Sequence, residues 1–221
     1  MPTLVTTAHL QTKSKEARDK LISIFKEITE YSLANEKDGV LRYITAVPID
    51  STDDASIYMI EEYADRAASD AHFKTPPVQK LVSEFEASEP LIEAPEIIDL
   101  APSVEFKRPI SSTPGVISLA HINFKPGKAV AAIEGFKTLI ESLEKHEESV
   151  LAYAALLDEE KDSIRTIEMY ESAEYYDRVH KGSSSNFAKA IEENPNRTKA
   201  DRSGEMEVVK LKVIQGFFER Y

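Results

Sequence analysis

Four of the five histidines in this 221-residue chain fall into two pairs with matching context. His9 sits in Ala-His-Leu and His121 in Ala-His-Ile. His72 and His180 each close a polar helical run that begins with Ile-Glu-X-Tyr, at Ile60 and at Ile167. Imidazole titrates near neutrality, so a histidine facing an apolar cavity can take a proton from a bound molecule and pass it to water. Tyrosines and acids accompany them. Tyr63 and Tyr170 end the two Ile-Glu-X-Tyr runs, and Tyr43 and Tyr153 end two Val-Leu-X-Tyr runs. Glu61, whose counterpart is Glu168, shares a strand face with Tyr63, Ile57 and Met59. A carboxylate among apolar neighbours needs a partner, and Arg42 on the adjacent strand is the candidate. The second run has Ala152 in its place.

Each of these residues also has a purely structural reading. A duplicated histidine can be satisfied by a neighbouring carbonyl, and His72 at a helix end gains from the helix dipole. The tyrosines can be core or pocket wall, and His146, in an acidic helix end, reads as a solvated surface residue. Other chemistries find little support. No His/Glu pair at i, i+4 or other ligand spacing points to a metal site. Seven glycines and no Gly-rich loop argue against a nucleotide-binding turn. Ser183-Ser184-Ser185 reads as a helix cap and loop, because no nucleophile elbow surrounds it.

The elements that position these residues occur twice. Ala8-His9-Leu10 matches Ala120-His121-Ile122, Val40-Leu41-Arg42-Tyr43 matches Val150-Leu151-Ala152-Tyr153, and Glu96-Ile97-Ile98 matches Glu207-Val208-Val209. With the Ile-Glu-X-Tyr runs and His72/His180, five matches fall in the same order at offsets of 107 to 112 residues, so the chain is a tandem duplication. In the first copy a strand over about 3–10 precedes a helix over about 15–35, with Ser14 as N-cap and Ala17, Leu21, Ile24, Phe25 and Ile28 as its apolar face. Strands 39–47 and 56–63 follow, then helices from Ala64 to Phe73 and from Thr75-Pro76-Pro77, and a strand at "PEIIDLA". The second copy reads as strand 116–124, helix 128–146, strands 150–157 and 163–170, helices 173–181 and 185–193, and strand 205–214. This is β-α-β-β-α-β twice: an α+β chain of two ferredoxin-like modules, 1–100 and 115–221, with a proline-rich linker at 101–114. One face of each sheet is left apolar by its own helices. The expectation is that the two sheets pack face to face as a pseudo-dimer within one chain; the alternative is that each copy pairs with a neighbouring chain in a homodimer.

The totals exclude several classes. A formal net charge of −12 repels nucleic acid and anionic membrane. No run reaches the roughly 18 to 20 apolar residues of a membrane helix, and the N-terminus lacks signal-peptide features. Without cysteine there is no disulfide, thiolate site or cysteine nucleophile. The expectation is a soluble, cytoplasmic, acidic protein.

"EKDGVLRYITAV" followed by "IYMIEEYADRAASDAHFKTPPVQKL" resembles the antibiotic biosynthesis monooxygenase domain of the dimeric α/β-barrel superfamily. The first copy carries Gly39 before Leu41-Arg42-Tyr43, a strand ending Glu61-Glu62-Tyr63, and Ala71-His72 before Pro76. The second has Ser149 for the glycine and Gly182 with serines for Thr-Pro-Pro, so the first is expected to be the active copy. The resemblance implies a monooxygenase or oxidase of secondary metabolism acting on an aromatic polyketide-like or quinol substrate with molecular oxygen and no cofactor. A cofactor-free isomerase or cyclase, and a non-catalytic binding or stress-response barrel, are the alternatives. Haem degradation is disfavoured because that branch relies on a tryptophan and the chain has none. In the oxygenase reading His72, His9 and Tyr63 are the catalytic candidates, and Tyr43, Phe73, Phe85, Arg42 and Glu61 bind substrate. Their second-copy equivalents are His121, Tyr153, Glu168, Tyr170 and His180. The expected pocket lies between sheet and helices of the first copy, with His72 at its mouth and His9 below.

Overall fold

The computed structural model describes residues 3–50, 52–110, 112–182, 188–189 and 201–218. The chain forms two compact units, one of Met1–Ala101 with Leu211–Tyr221 and one of Pro102–Lys210. The first contains β1 (Leu4–Gln11), α1 (Lys15–Asn35), β2 (Val40–Pro48), β3 (Ser56–Tyr63), α2 (Arg66–Phe73), α3 (Pro76–Ser88) and β4 (Glu96–Leu100). The second contains β5 (Val104–Lys107), β6 (Val116–Asn123), α4 (Lys128–His146), β7 (Val150–Asp158), β8 (Ser163–Tyr170) and a π-helical segment, Tyr175–His180. The last strand, β9 (Glu207–Phe217), begins in the second unit and ends in the first. Each copy has the ferredoxin-like element order in an α+β arrangement, but the strands do not form the two separate sheets expected from sequence: they follow one another in a single nine-stranded sheet, β4-β1-β3-β2-β9-β6-β8-β7-β5.

Local chemistry sets the elements. Ser14 caps α1 by accepting from the Ala17 N–H, and Leu21, Ile24, Phe25 and Ile28 recur along its buried face. They pack with Leu10, Tyr43, Ile57, Met59, Tyr63, Val78 and Leu81 into the first unit's core. In the second unit, Phe136, Leu139, Ile140 and Leu143 of α4 do the same against Val150, Tyr153 and Tyr170. Among the described residues, no helix is long and apolar enough to cross a membrane. The helix expected over 185–193 and the serines from 183 lie outside the described residues, apart from Ala188 and Lys189.

Two departures from the sequence reading share one cause. The segment read as a linker holds β5, which pairs with β7 from Val104 opposite Ala155 to Lys107 opposite Ala152, and buries Phe106 in the second unit's core. The last strand runs three residues beyond its expected end at 214. Its final part pairs with β2, from Pro48 opposite Leu211 to Tyr43 opposite Phe217, and places Phe217 in the first unit's core. The segment between the copies therefore extends the strands of the second unit, and the end of the chain extends those of the first. Hydrophobic alternation over four residues among three prolines is too short a signal to read as a strand.

The pairing of β9 with β2 requires glycine at one point. Gly216 has φ +134°, and a Cβ there would lie 2.1 Å from the carbonyl oxygen of Tyr43. Gly204, by contrast, has open space around it. Gly216→Ala is expected to cost about 2 kcal/mol or more, through the close approach and the backbone conformation together. Gly204→Ala should change stability by less than about 0.5 kcal/mol. Thermal melts of the two variants compare them directly, and equal melting temperatures would refute the account of β9.

Candidate functional site

The first unit contains a cavity of about 560 Å³ between its sheet and its helices. Alternation along the strands decides which side chains reach it. Thr6, Ala8 and Leu10 of β1 face it, as do Met59, Glu61 and Tyr63 of β3, Tyr43 of β2, and Ile97 and Asp99 of β4. Phe25 and Ile28 of α1 and Val78, Leu81, Val82 and Phe85 of α3 give it an apolar wall. His72 and Phe73 come from the end of α2. The strand registers align Tyr43 with Glu61, Glu61 with Thr6, and Thr6 with Asp99, so four polar residues form one row across the cavity floor.

His72 is placed by several local devices. Asp65 caps α2 by accepting from the Ala68 N–H at 2.9 Å. Gly39 lets the helix come close, since a Cβ there would sit 3.3 Å from that of Ala68. After His72 the helix stops, because Thr75 bonds the His72 carbonyl through its N–H (3.0 Å) and its hydroxyl (2.8 Å) just before Pro76 and Pro77. The imidazole is only 4% exposed, so it forms part of the cavity lining and is not the solvent-facing mouth expected from sequence. Its Nδ1 lies 2.9 Å from Oε2 of Glu36, the C-cap residue of α1, which also accepts from the Ser32 hydroxyl at 2.7 Å. Its ring lies 5.6 Å from that of Tyr43 and 5.5 Å from that of Tyr63.

Glu36 was not anticipated. A carboxylate at the end of the first helix of each copy, in "EKDG" and "EESV", was the available signal. In the second unit Glu147 caps α4 and holds His180 Nδ1 at 2.9 Å. There the chain of bonds continues: His180 Nε2 meets the Tyr170 hydroxyl at 2.9 Å, Tyr170 donates to Glu168 at 2.5 Å, and Thr166 donates to Glu168 at 2.9 Å. Tyr63 likewise donates to Glu61 in the first unit.

Two expected members lie elsewhere. His9 is on the opposite face of β1, stacked on Tyr58 at 4.4 Å with its Nε2 3.1 Å from the Ser56 hydroxyl, because the cavity takes the even-numbered residues of that strand. Its counterpart His121 lies 3.7 Å from Glu207. Arg42 does not partner Glu61. A bulge between Val40 and Arg42 aligns Arg42 with Glu62, 3.8 Å away, and Arg42 Nε donates to the Phe218 carbonyl at 3.0 Å. Tyr43, Tyr63, Phe73, Phe85, Glu61 and His72 are brought together, with Phe73 largely exposed at the rim. Tyr153 is buried in the second unit's core.

Desolvation dominates the electrostatics. Burial pushes the Glu61 carboxyl above its ordinary range, against the pull of His72 and of the Tyr63 hydrogen bond. Burial also raises Tyr43, Tyr63 and Tyr170, with nearby glutamates adding to it: Glu61 and Glu36 around Tyr43 and Tyr63, and Glu168 beside Tyr170. Among the described residues, no group of three or more His, Asp or Glu is placed to hold a metal ion.

The raised tyrosines have a consequence at high pH. Above the ordinary phenol value of 10.0 the unfolded chain releases protons that these three residues keep in the fold. Stability is therefore unaffected by them below that value. Above it, each lowers stability by up to about 1.4 kcal/mol per pH unit. An absorbance titration of native protein should leave Tyr43, Tyr63 and Tyr170 silent until the chain unfolds, while burial delays Tyr58, Tyr175 and Tyr176 beyond the ordinary phenol range. Full titration of all nine tyrosines before loss of the circular dichroism signal would contradict this burial.

Residues 4–84 match the family model described as antibiotic biosynthesis monooxygenase. Among curated proteins none matches the chain. Of solved structures, a candidate monooxygenase from Lactobacillus acidophilus aligns at a TM-score of 0.78 and 16% identity, over 98% of this chain and 96% of its own. A second, from Fusobacterium nucleatum, aligns at 0.80 and 16%, over 97% and 94%. An anthrone oxidase-like protein aligns at 0.62 and 14%, over 98% and 93%. These whole-length likenesses establish the shared fold. His72 and most of the cavity lining thus lie in the segment, 4–84, that matches the antibiotic biosynthesis monooxygenase model, in a chain that shares the whole-length fold of these structures.

Proposed function

We propose that the first unit oxidises an electron-rich aromatic small molecule with molecular oxygen, without a resident cofactor. The observation that carries this reading is the Glu36–His72 pair at an apolar cavity large enough for a small aromatic molecule. The tautomer that satisfies the Glu36 carboxylate puts the proton on Nδ1 and leaves a lone pair on Nε2. Glu36 then stabilises the imidazolium that forms when Nε2 takes a substrate proton. The apolar wall supplied by Phe25, Ile28, Val78, Leu81 and Phe85 favours a planar hydrocarbon skeleton.

The chemistry balances with oxygen alone as oxidant. An activated CH₂ beside an aromatic carbonyl loses a proton to His72, and the resulting anion gives one electron to O₂. Recombination forms a carbon–oxygen bond, and the peroxide loses water to leave a carbonyl: RCH₂R′ and O₂ become RC(=O)R′ and H₂O. Tyr43, kept protonated by burial, supplies a hydroxyl beside the anion, while the Tyr63 proton is held by Glu61. The monooxygenase domain match over 4–84 supports this reading, and the substrate class belongs to the proposal.

A panel of anthrones, naphthols and hydroquinones, assayed with and without oxygen, tests it. Oxygen-dependent product with matching O₂ uptake is expected; turnover that persists under argon would point instead to an isomerase or cyclase. On a confirmed substrate, His72→Ala should lower kcat/KM by ~10²- to 10⁴-fold with an unchanged circular dichroism spectrum. His180→Ala should leave kcat/KM within a few-fold. It should instead lower stability by about 2 kcal/mol or more, because Glu147 and Tyr170 lose a buried partner. The opposite pattern would assign the chemistry to the second unit.

A further inference from the structure

The second unit repeats the row and the histidine of the first, but a side chain stands over them. Ser118 is the counterpart of Thr6, Glu168 of Glu61, Tyr170 of Tyr63 and His180 of His72. Ser118 is aligned with Glu168 across β6 and β8, as Thr6 is with Glu61 across β1 and β3. Tyr176, from the π-helical segment, lies over this set and is 4% exposed. Its ring meets Tyr170 edge-on at 4.9 Å and lies within 20° of parallel to His180 at 6.0 Å. Its hydroxyl is 3.3 Å from that of Ser118. At the matching place α2 of the first unit has only Ala68 and Ser69, and Ser69 lines the cavity. The second unit thus holds a phenol of its own, seated against the same side chains that line the first unit's cavity.

We infer that Tyr176 shows the pose of a phenolic ligand in the first unit, and that Thr6 is the residue that receives the ligand's hydroxyl. In that pose the aromatic ring stands edge-on to Tyr63 and near-parallel to His72, and the hydroxyl reaches Thr6 beside Glu61. Thr6 is suited to accept: its own proton goes to Asp99 Oδ1 at 2.6 Å, and Asp99 is held from its other oxygen by Arg66 at 2.6 Å. Its free lone pairs then select a ligand that donates. A phenol fits, and its methyl ether does not. This rests on the reading that the first cavity binds an aromatic molecule, but not on any turnover.

Titration calorimetry under argon with 2-naphthol and 2-methoxynaphthalene tests the inference. Wild type should bind 2-naphthol at one site per chain and more tightly than the ether. Thr6→Val should weaken 2-naphthol by roughly 3- to 10-fold, the worth of one hydrogen bond, and leave the ether unchanged. Tyr176→Ala, shown to be folded by circular dichroism, should bind 2-naphthol at two sites per chain, since a vacated apolar site accepts an aromatic ring. Undiminished preference for 2-naphthol in Thr6→Val, or a single site in folded Tyr176→Ala, overturns the pose while the cavity's affinity for aromatics stands. Failure of wild type to bind either compound overturns both the pose and the reading beneath it.

Discussion

A carboxylate at the C-terminal end of a helix is badly placed, because the helix dipole already concentrates negative charge there. Glu36 and Glu147 both occupy that position, and both are matched by an imidazole from a later helical segment. The hydrogen bond between them fixes much of what surrounds it. It ties the end of α2, or of its π-helical counterpart, to the end of the long helix that precedes it, and so sets the height of that segment above the sheet. It also fixes which imidazole nitrogen keeps a proton. The glycine at 39, the Asp65 cap and the Thr-Pro-Pro stop serve the same placement in the first unit.

The two units use this shared bond differently. In the second, every acceptor near His180 is answered from within: Tyr170, Glu168, Thr166 and Tyr175 form a buried network with it and Glu147, and Tyr176 covers Ser118. In the first, Thr6, Glu61 and His72 open onto space, and desolvation raises the Glu61 carboxyl without the apolar wall offering it any compensation. Duplication permits this division. One copy can retain an unfilled and electrostatically costly cavity while the other buries the same residues as structure.

The elements were legible wherever a single period held over many residues. Helices 15–35 and 128–146 and strands 56–63 and 163–170 have the bounds that their apolar spacing indicates. The inward face of β3 was equally readable, and it brings Glu61 and Tyr63 to the cavity with Tyr43. What failed was relation across strands. Nothing in "GVLRYITAV" announces the bulge after Val40, yet that one extra residue moves Arg42 from Glu61 to Glu62. Likewise the parity of β1 alone cannot say which of its faces the helices cover, and His9 fell on the other side. Glu36 escaped notice because a charged residue in a polar turn looks like any solvated one until its partner is located.

The pairing of β2 with the last strand has a bearing on how the chain reaches this state. Tyr43 and Ile44 lie beside a strand from the far end of the sequence, and the backbone of Phe218 receives the guanidinium of Arg42. The first module is therefore not finished when its own hundred or so residues have left the ribosome. Its β2 edge stays bare, with unpaired amides and carbonyls exposed, throughout synthesis of the second module. Such an edge is a template for wrong pairing, with a neighbouring nascent chain above all. Closure must await pairing between residues far apart in sequence, Tyr43 with Phe217, the kind of contact that makes folding slow. Assembly of the cavity is thus coupled to arrival of the last strand, and a chain cut short before β9 would leave the first module's sheet without its closing edge.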